Sequence, residues 1–517
     1  MSRGRTARWC GLLAILALAA GLTLWELRLV PGNSFYDAAV RSMGGSSQRF
    51  FFGALEPGGS VSIDKPPLDL WLQVAATKVL GFNLLALHLP EALAGVASVA
   101  LLFGALREPF GYTAALLGAL ALAVLPVSVL TARSDTMDCV LAALSIGALW
   151  CSWVALRSGR TRWIMLAALI MGVAFNVKLA EALLALPALG VLWWWAAPAS
   201  PRGRARVLCL AAGVFAGTAL SWTIAASFTP SGERPHPIGS GNGSLWTLML
   251  VYNGLDRLTG QGAGAYALAA PGSPPGPLRL LDSAHSHCRA WIGVAVLACL
   301  LLGALAVAPA LRRRDGSAST RMAIAIGVWF GCGLILFSTM RRLEARYLEM
   351  LAPAVSAILG ISLASLLRNR RIVLALGSAA AIAALLAAGL STDVGLIGAH
   401  RSDSRAPDPI SAELGSYVRA HRGTARYELA SATVLAAVGL VSRDGLPVLM
   451  LNDLDGQLES SARLRSQVRA GEVRFYFAAH NCSARMRCPR NLRWAISHST
   501  PVARYRGLRR FAGPHGA

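Results

Sequence analysis

The apolar residues of this chain come in runs long enough to cross a bilayer, and that spacing rules out almost every soluble fold. A helix needs about 20 residues to span the hydrocarbon core; reading the 517 residues for such runs gives about eleven, the first beginning near Cys10 and the last ending near Leu390. The composition agrees, with 55% hydrophobic and 15% charged residues and a mean hydropathy of +0.52. A net charge of +23 would suit nucleic acid, but the arginines gather in short segments between apolar runs: RSGRTR (157–162), PRGRAR (201–206), LRRRDG (311–316) and RNRR (368–371). If spans alternate, these fall on the same side as Arg3, Arg5 and Arg8, the pattern of cytoplasmic loops. No nucleic-acid partner is expected. The chain reads as a multi-pass protein of the plasma (inner) membrane with a cytoplasmic amino terminus, its first span kept as a signal anchor because no small-residue cleavage site precedes WELRLVPGNS.

Two parts follow from this pattern. Residues 1–390 form a transmembrane domain, with a first extracytoplasmic loop over 29–85, a second over about 228–287, and tips at 132–138, 176–181 and 341–347. Residues 391–517 turn polar and alternate helix-like segments (ISAELGSYVRAH, LESSARLRSQVRAG) with strand-like ones (LPVLML, VRFYFAA), which predicts a small extracytoplasmic α/β domain. Cys482 and Cys488 share a polar neighbourhood there and could form a disulfide if that part is extracytoplasmic; the sequence leaves their pairing open. His285 and His287 have no third metal ligand nearby in sequence and read as surface residues.

Charges outside the arginine clusters collect at the extracytoplasmic span ends: Asp37, Asp64, Lys65, Asp135, Asp138, Lys178, Glu181, Arg346 and Glu349. Ionisable groups at membrane depth are costly, so their convergence marks a candidate site. Several have local readings as well. Ser34 and Asp37 match the spacing of a capping box. Asp135 and Asp138, three apart, would share a helix face, and Arg346 would pair with Glu349 at i,i+3. In SIDKPPLDLW, Pro66 pushes Lys65 into an extended conformation and Pro67 can open a helix, so the two charges are presented rigidly and, as neighbours in an extended turn, are expected to point apart. The following LDLWLQVAATKVLG places Leu68, Trp71, Leu72 and Ala75 opposite Asp69 and Gln73, as in a helix at a membrane surface.

These stretches together resemble a family. NSFYDAAVRSM, FFFGALEPGGSVSIDKPPLDLWLQ, RSDTMD, RPHPIGSGNGSLWTLMLVYNGLDRLTGQG and EARYLEMLAPAV, in that order and followed by a polar C-terminal domain, look like the bacterial membrane glycosyltransferases related to protein O-mannosyltransferases and to the aminoarabinose transferase of lipid A, the GT-C fold group. The resemblance implies an inverting transferase that takes a sugar from a polyprenyl phosphate at the outer face of the membrane. The acceptor would be a glycolipid, a cell-envelope polymer or a protein. It further implies Asp64 and Asp37 as catalytic carboxylates, Lys65 and Arg346 on the donor phosphate, and Tyr36, Asp135, Asp138, Asn253 and Arg257 (the last two from YNGL-x-R) around the substrates. Related transferases link the acid beside the KPP lysine to a metal, which makes Asp64 a candidate ligand for a divalent ion. One departure stands out: the family commonly carries an acidic pair just before the first-loop tyrosine, and this chain has Gly32-Asn33 before Tyr36. Because a polyprenyl phosphate leaves readily once its charge is screened, one base and a few cations suffice. Of the charges outside the arginine clusters, Asp64 ranks first as the reactive carboxylate and Asp37 second, as a helix cap. A lipid-linked sugar flippase and a non-catalytic membrane scaffold are the competing classes.

Overall fold

The computed structural model describes residues 2–260, 274–281, 292–293, 295–300, 317–368, 394–395, 409–453, 456–478 and 489–512. The pairs Cys482/Cys488 and His285/His287 lie outside them. The chain divides into two compact units, each assembled from separated stretches: Met1–Pro31, His88–Trp222 and Gly272–Ser402 in the first, Gly32–Leu87, Thr223–Pro271 and Asp403–Ala517 in the second.

The first unit is a helical membrane bundle, containing α1 (Ser2–Leu24), α5 (Leu84–Phe110), α6 (Tyr112–Ala123), α7 (Pro126–Ala132), α8 (Asp138–Ser158), α9 (Arg162–Lys178), α10 (Leu186–Ala196), α11 (Pro201–Ser227), α13 (Ala318–Thr339) and α14 (Ala352–Arg368). Among the described residues six helices are long and apolar enough to span a bilayer, or seven if α6 and α7, bent by 60°, count as one. The bend has a local cause. Leu125 precedes Pro126 and is held extended, and Pro126 then opens α7 at its first turn. Although Arg162–Ala196 is helical almost throughout, it is not one rod: a straight helix would hold Ile164 and Leu189 about 37 Å apart at 1.5 Å per residue, yet both line one apolar cavity of about 210 Å³. The chain reverses at Leu179, whose φ of 48° is left-handed, and at the 3₁₀ segment Leu179–Ala185, where the sequence placed a tip.

Close packing in this bundle depends on glycine. A Cβ at Gly360 of α14 would run into the backbone nitrogen of Gly118 on α6 and lie 2.5 Å from the carbonyl oxygen of Ala114. Small residues let two helix backbones touch, the main source of helix association where solvent supplies no hydrophobic drive.

In the second unit a five-stranded sheet is formed by β3 (Leu429–Ser431), β4 (Val448–Met450), β5 (Phe475–Phe477), β6 (Ser499–Pro501) and β7 (Leu508–Phe511), in the order β4-β3-β5-β7-β6. β3 pairs in parallel with β4 and β5, and β7 is antiparallel to β5 and β6, with Tyr476 opposite Ala430 on one side and Arg509 on the other. The helices α15 (Pro409–His421), α16 (Val434–Asp444), α17 (Ser461–Arg469) and α18 (Arg490–Ser497) complete it, and Leu449, Leu464, Tyr476, Trp494 and Phe511 belong to its core. Both strand-like segments and both helix-like segments named above fall on elements of this layer.

The first loop belongs to the same unit. It contains α2 (Ser34–Met43), α3 (Ser47–Phe52), β1 (Val61–Ser62) and α4 (Leu68–Leu80), and β1 pairs in parallel with β2 (His236–Pro237) of the second loop. Arg41 of α2 donates through Nε to the Ser442 carbonyl at 2.6 Å, beside Gly445, whose φ of 64° ends α16. Asp453 accepts from the Gly239 amide at 2.7 Å.

Three local expectations are corrected. Asn33, not Ser34, caps α2, its side chain accepting from the Phe35 amide at 3.1 Å; starting the helix one residue earlier places Asp37 one position beyond the capping-box acid. Asp135 lies in the turn before α8, which starts at Asp138, so the two aspartates do not share a helix face. Pro67 precedes the helix as its N-cap residue, and α4 begins at Leu68. The faces of α4 divide as expected: Asp69 and Gln73 are buried and joined at 3.0 Å, while Leu72, Val79 and Leu80 are exposed. A helix that turns its polar side inward and its leucines outward is built to meet lipid.

Gly360→Val should force α6 and α14 apart and cost about 1–3 kcal/mol, the usual range for overpacking. Thermal unfolding of the detergent-solubilised protein, followed by size exclusion, measures this; an unchanged midpoint would mean the two helices yield freely.

Candidate functional site

The second unit gathers five of the residues singled out from the sequence around one ammonium. The chain leaves β1 and bends at Asp64 and Lys65, and at that bend the neighbouring side chains meet: Lys65 Nζ lies 2.7 Å from Asp64 Oδ1. This corrects the expectation that the two charges point apart, which held only for an extended backbone. Lys65 Nζ also donates to the Tyr36 hydroxyl at 2.7 Å, and Tyr36 comes from the first turn of α2. The remaining Asp64 oxygen, Oδ2, is 3.7 Å from Arg257 Nη2. Asn253 holds the bend itself, donating to the Asp64 carbonyl at 2.6 Å and to the Leu248 carbonyl at 3.1 Å. Asn253 sits on a π-helical segment, Thr247–Leu255, and Arg257 on the short α12 (Asp256–Thr259) that continues it, its guanidinium 5.0 Å from the Tyr252 ring. Asp64, Lys65 and Tyr36 are all under 10% exposed.

Asp37 follows Tyr36 on α2 and is buried. Its carboxylate folds back over Gly32, so that Oδ2 occupies the space a Cβ at that position would need. The acid missing from position 32 is thus replaced, in space, by one delivered from the helix.

Asp64 is the single acidic group placed on Lys65 and Arg257 by these contacts, and among the described residues no cluster of three or more His, Cys, Asp or Glu side chains is arranged for a metal. One carboxylate already faced by two cations is a poor donor set for a divalent ion, and no step is assigned to one.

The first unit holds a separate buried charge cluster. Lys178, at the end of α9, pairs with Asp138 at the start of α8 and with Glu181 at 2.9 Å, and its Nζ lies 4.4 Å from the Tyr347 ring. Arg346 pairs with Glu344 at 2.5 Å and not with Glu349 as the spacing suggested. Residues 345–350 form a 3₁₀ turn, in which Glu349 is 1% exposed. Asp135 is buried in this unit as well.

Sequence reading missed the residues that close this bundle. Glu91 of α5 accepts from the Cys139 amide at 2.7 Å, placing a carboxylate at the N-terminus of α8. Arg133 donates to the carbonyls of Leu22, Thr23 and Trp25 at 2.7–3.3 Å, where α1 ends, and Arg279 donates to those of Phe337 and Met340 at the end of α13. Each is a lone charge within or beside an apolar run, the one signal that could have found them.

Comparison with known proteins shows what the chain is similar to. Residues 64–222 match the model of the dolichyl-phosphate-mannose-protein mannosyltransferases. YycA and YkcB of Bacillus subtilis strain 168, mannosyltransferases by name, are 33% identical over 264 residues and 34% identical over 254; the matches cover 50% and 49% of this chain but only 38% and 36% of theirs. The crystal structure of ArnT from Cupriavidus metallidurans in the apo state aligns over 99% of both chains with a TM-score of 0.64 and 15% identity. The chain shares the overall fold of ArnT. The same enzyme bound to undecaprenyl phosphate aligns over 87% of this chain and 86% of that one, at a TM-score of 0.58 and 17% identity. Another GT-C protein, the archaeal oligosaccharyltransferase AglB from Archaeoglobus fulgidus, in complex with an inhibitory peptide and a dolichol-phosphate, covers 92% and 70% at a TM-score of 0.59 and 12% identity.

Lys178 carries the charge balance of its GT-C bundle. Lys178→Met would leave Asp138 and Glu181 buried without their cation, a loss of about 3–5 kcal/mol, while Lys178→Arg should recover part of it. Yield of monodisperse protein from membranes reads this directly, and equal yields for Met and wild type would remove the cluster from the fold's supports.

Proposed function

We propose that this protein is an inverting glycosyltransferase that moves a sugar from a polyprenyl-phosphate donor to an acceptor hydroxyl on a glycan, glycolipid or protein, at the outer face of the plasma membrane. The observation that carries this reading is Lys65, buried and fixed between Asp64 and Tyr36 with Arg257 beside it. Two cations on a preorganised turn suit a phosphate leaving group, and such a group needs screening rather than protonation.

The chemistry then requires one displacement. A carboxylate takes the acceptor's hydroxyl proton, the oxygen attacks the anomeric carbon, and the bond from that carbon to the phosphate oxygen breaks, its electron pair leaving with the lipid phosphate. A single displacement inverts the anomeric centre. Asp64 is bound on both oxygens to cations and acts best as the group that orients Lys65. Asp37 is buried on α2, next to Tyr36, with its carboxylate folded over Gly32; it is our choice as base.

Vesicles given a radiolabelled polyprenyl-phosphate sugar test the reading, since a transferase consumes the donor, a flippase moves it intact and a scaffold does neither. Lys65→Met should weaken donor use about ten-fold or more, the loss of a charge-assisted contact of about 1.5–3 kcal/mol. Asp37→Asn should lower turnover by about 10²-fold with donor affinity kept, as removal of a general base does, whereas Asp64→Asn should raise the donor KM through a loosened Lys65. The reverse pattern, an inert Asp64→Asn beside an unaffected Asp37→Asn, would return the base to the bend after β1, and activity abolished by chelators would bring a metal back to Asp64.

A further inference from the structure

The second unit contains a polar cleft apart from the Lys65 cluster. Its volume is about 770 Å³, and its walls are the turn 57–60, the segment 231–236 and the α/β layer around α17; ligand sites commonly fall between about 300 and 1,000 Å³. One wall is rigid by construction. Glu56, fully buried, accepts from the amides of Gly58 and Ser60, each at 2.5 Å, and from the Ser60 hydroxyl at 2.9 Å. Arg49 ties the same turn down through the Pro57 carbonyl at 3.1 Å. Gly58 is needed there because a Cβ would lie 2.9 Å from the Tyr427 ring.

Two wall residues carry unmet polar atoms. Gln467 of α17 is 9% exposed, and its Oε1 accepts no hydrogen bond among the described residues. Arg234 donates through Nε to the Thr229 carbonyl at 3.3 Å and through Nη2 to that of Gly243 at 2.8 Å, but its buried Nη1 has no acceptor among them. The two residues stand on different walls of the cleft, and a buried acceptor or donor left unpaired is costly unless something supplies the complementary group.

Charge narrows what that something is. Arg49, Arg234, Arg426 and Arg463 line the cleft together with Glu233, Glu459 and Glu472. Three carboxylates repel a polyanion, and a lining this polar offers no floor for an acyl chain. A hydroxyl both donates and accepts, so a polyol can answer glutamates, arginines and both open atoms at once.

We propose that this cleft binds carbohydrate: a short, hydroxyl-rich glycan carrying at most one acidic group. Its use as the docking site of the acceptor rests on the transferase reading above; the binding itself does not.

Full-length protein in nanodiscs is applied to an array of neutral and uronate-bearing di- to tetrasaccharides, with a peptide array and anionic phospholipid vesicles as comparators, and the best saccharide is then titrated calorimetrically. Binding to oligosaccharides is expected, weakened about ten-fold or more by Arg234→Met and by Gln467→Leu. Arg463, whose side chain is 70% exposed, can be changed without risk to the fold, and Arg463→Ala should weaken binding about three-fold. The cleft is not a glycan site if no saccharide binds, if all three variants bind as wild type, or if only peptides or only vesicles bind. Glycan binding without donor consumption would sink the transferase reading alone, and donor consumption without glycan binding would sink the cleft alone.

Discussion

An ammonium buried in protein has to be answered by an anion, and Lys65 is answered by the residue immediately before it. That constraint organises the second unit. For Lys65 to reach Asp64 the chain must bend where β1 ends, and the bend survives because Asn253 holds its carbonyl and because β1 is pinned to β2. Pro66 and Pro67 withhold two backbone donors there, so side chains must supply the hydrogen bonds that a regular strand would have made. Tyr36 then fixes α2 to the bend, and α2 in turn meets α16 through Arg41. A pair of this kind is weak as a source of net stability, since the desolvation of both ions offsets most of their attraction. Its persistence in a buried position is better understood as preorganisation for a third charge.

Much of this was legible in the sequence, and the limit of legibility is geometric. Apolar run length gave the membrane bundle because the bilayer allows few alternatives, and alternation of strand-like and helix-like segments gave the α/β layer. Tyr36, Asp64, Lys65, Asn253 and Arg257 were singled out through the resemblance along with Asp37, Asp135, Asp138 and Arg346; nothing in the spacing fixed who would touch whom. Local pairings failed where a backbone assumption failed. Arg346 pairs with Glu344 while Glu349 is buried, and Asp64 and Lys65 do pair because a bend replaces the expected strand. Arg133 and Arg279 were hidden for another reason: each closes a helix end more than 50 residues away in sequence, and no local pattern encodes such a partner.

The two charge clusters differ in how they are closed, and the difference separates structure from candidate chemistry. In the first unit Lys178 has carboxylates from two helical elements and an aromatic face, a set that already balances it. In the second unit one carboxylate, Asp64, meets two cations, Lys65 and Arg257. Cations fixed in a buried place favour an incoming anion, because the field is present before the ligand arrives and needs no reorganisation.

Gly32 shows how such a site can keep its chemistry while losing a residue. A carboxylate attached at position 32 would start from the backbone and reach outward; the one observed starts from α2 and reaches back to the same place. What a proton acceptor contributes depends on where its oxygens stand and on their surroundings, not on which Cα carries them. The glycine is then the condition for the substitution rather than a gap, since any side chain there would collide with Asp37. Anchoring the acid on a helix capped by Asn33 also confines it more tightly than a loop would, because the first turn of α2 is fixed at one end by that cap and on its side by the Tyr36 contact with Lys65. Asp37 and the tyrosine that holds Lys65 are thus carried by adjacent positions of one capped helix.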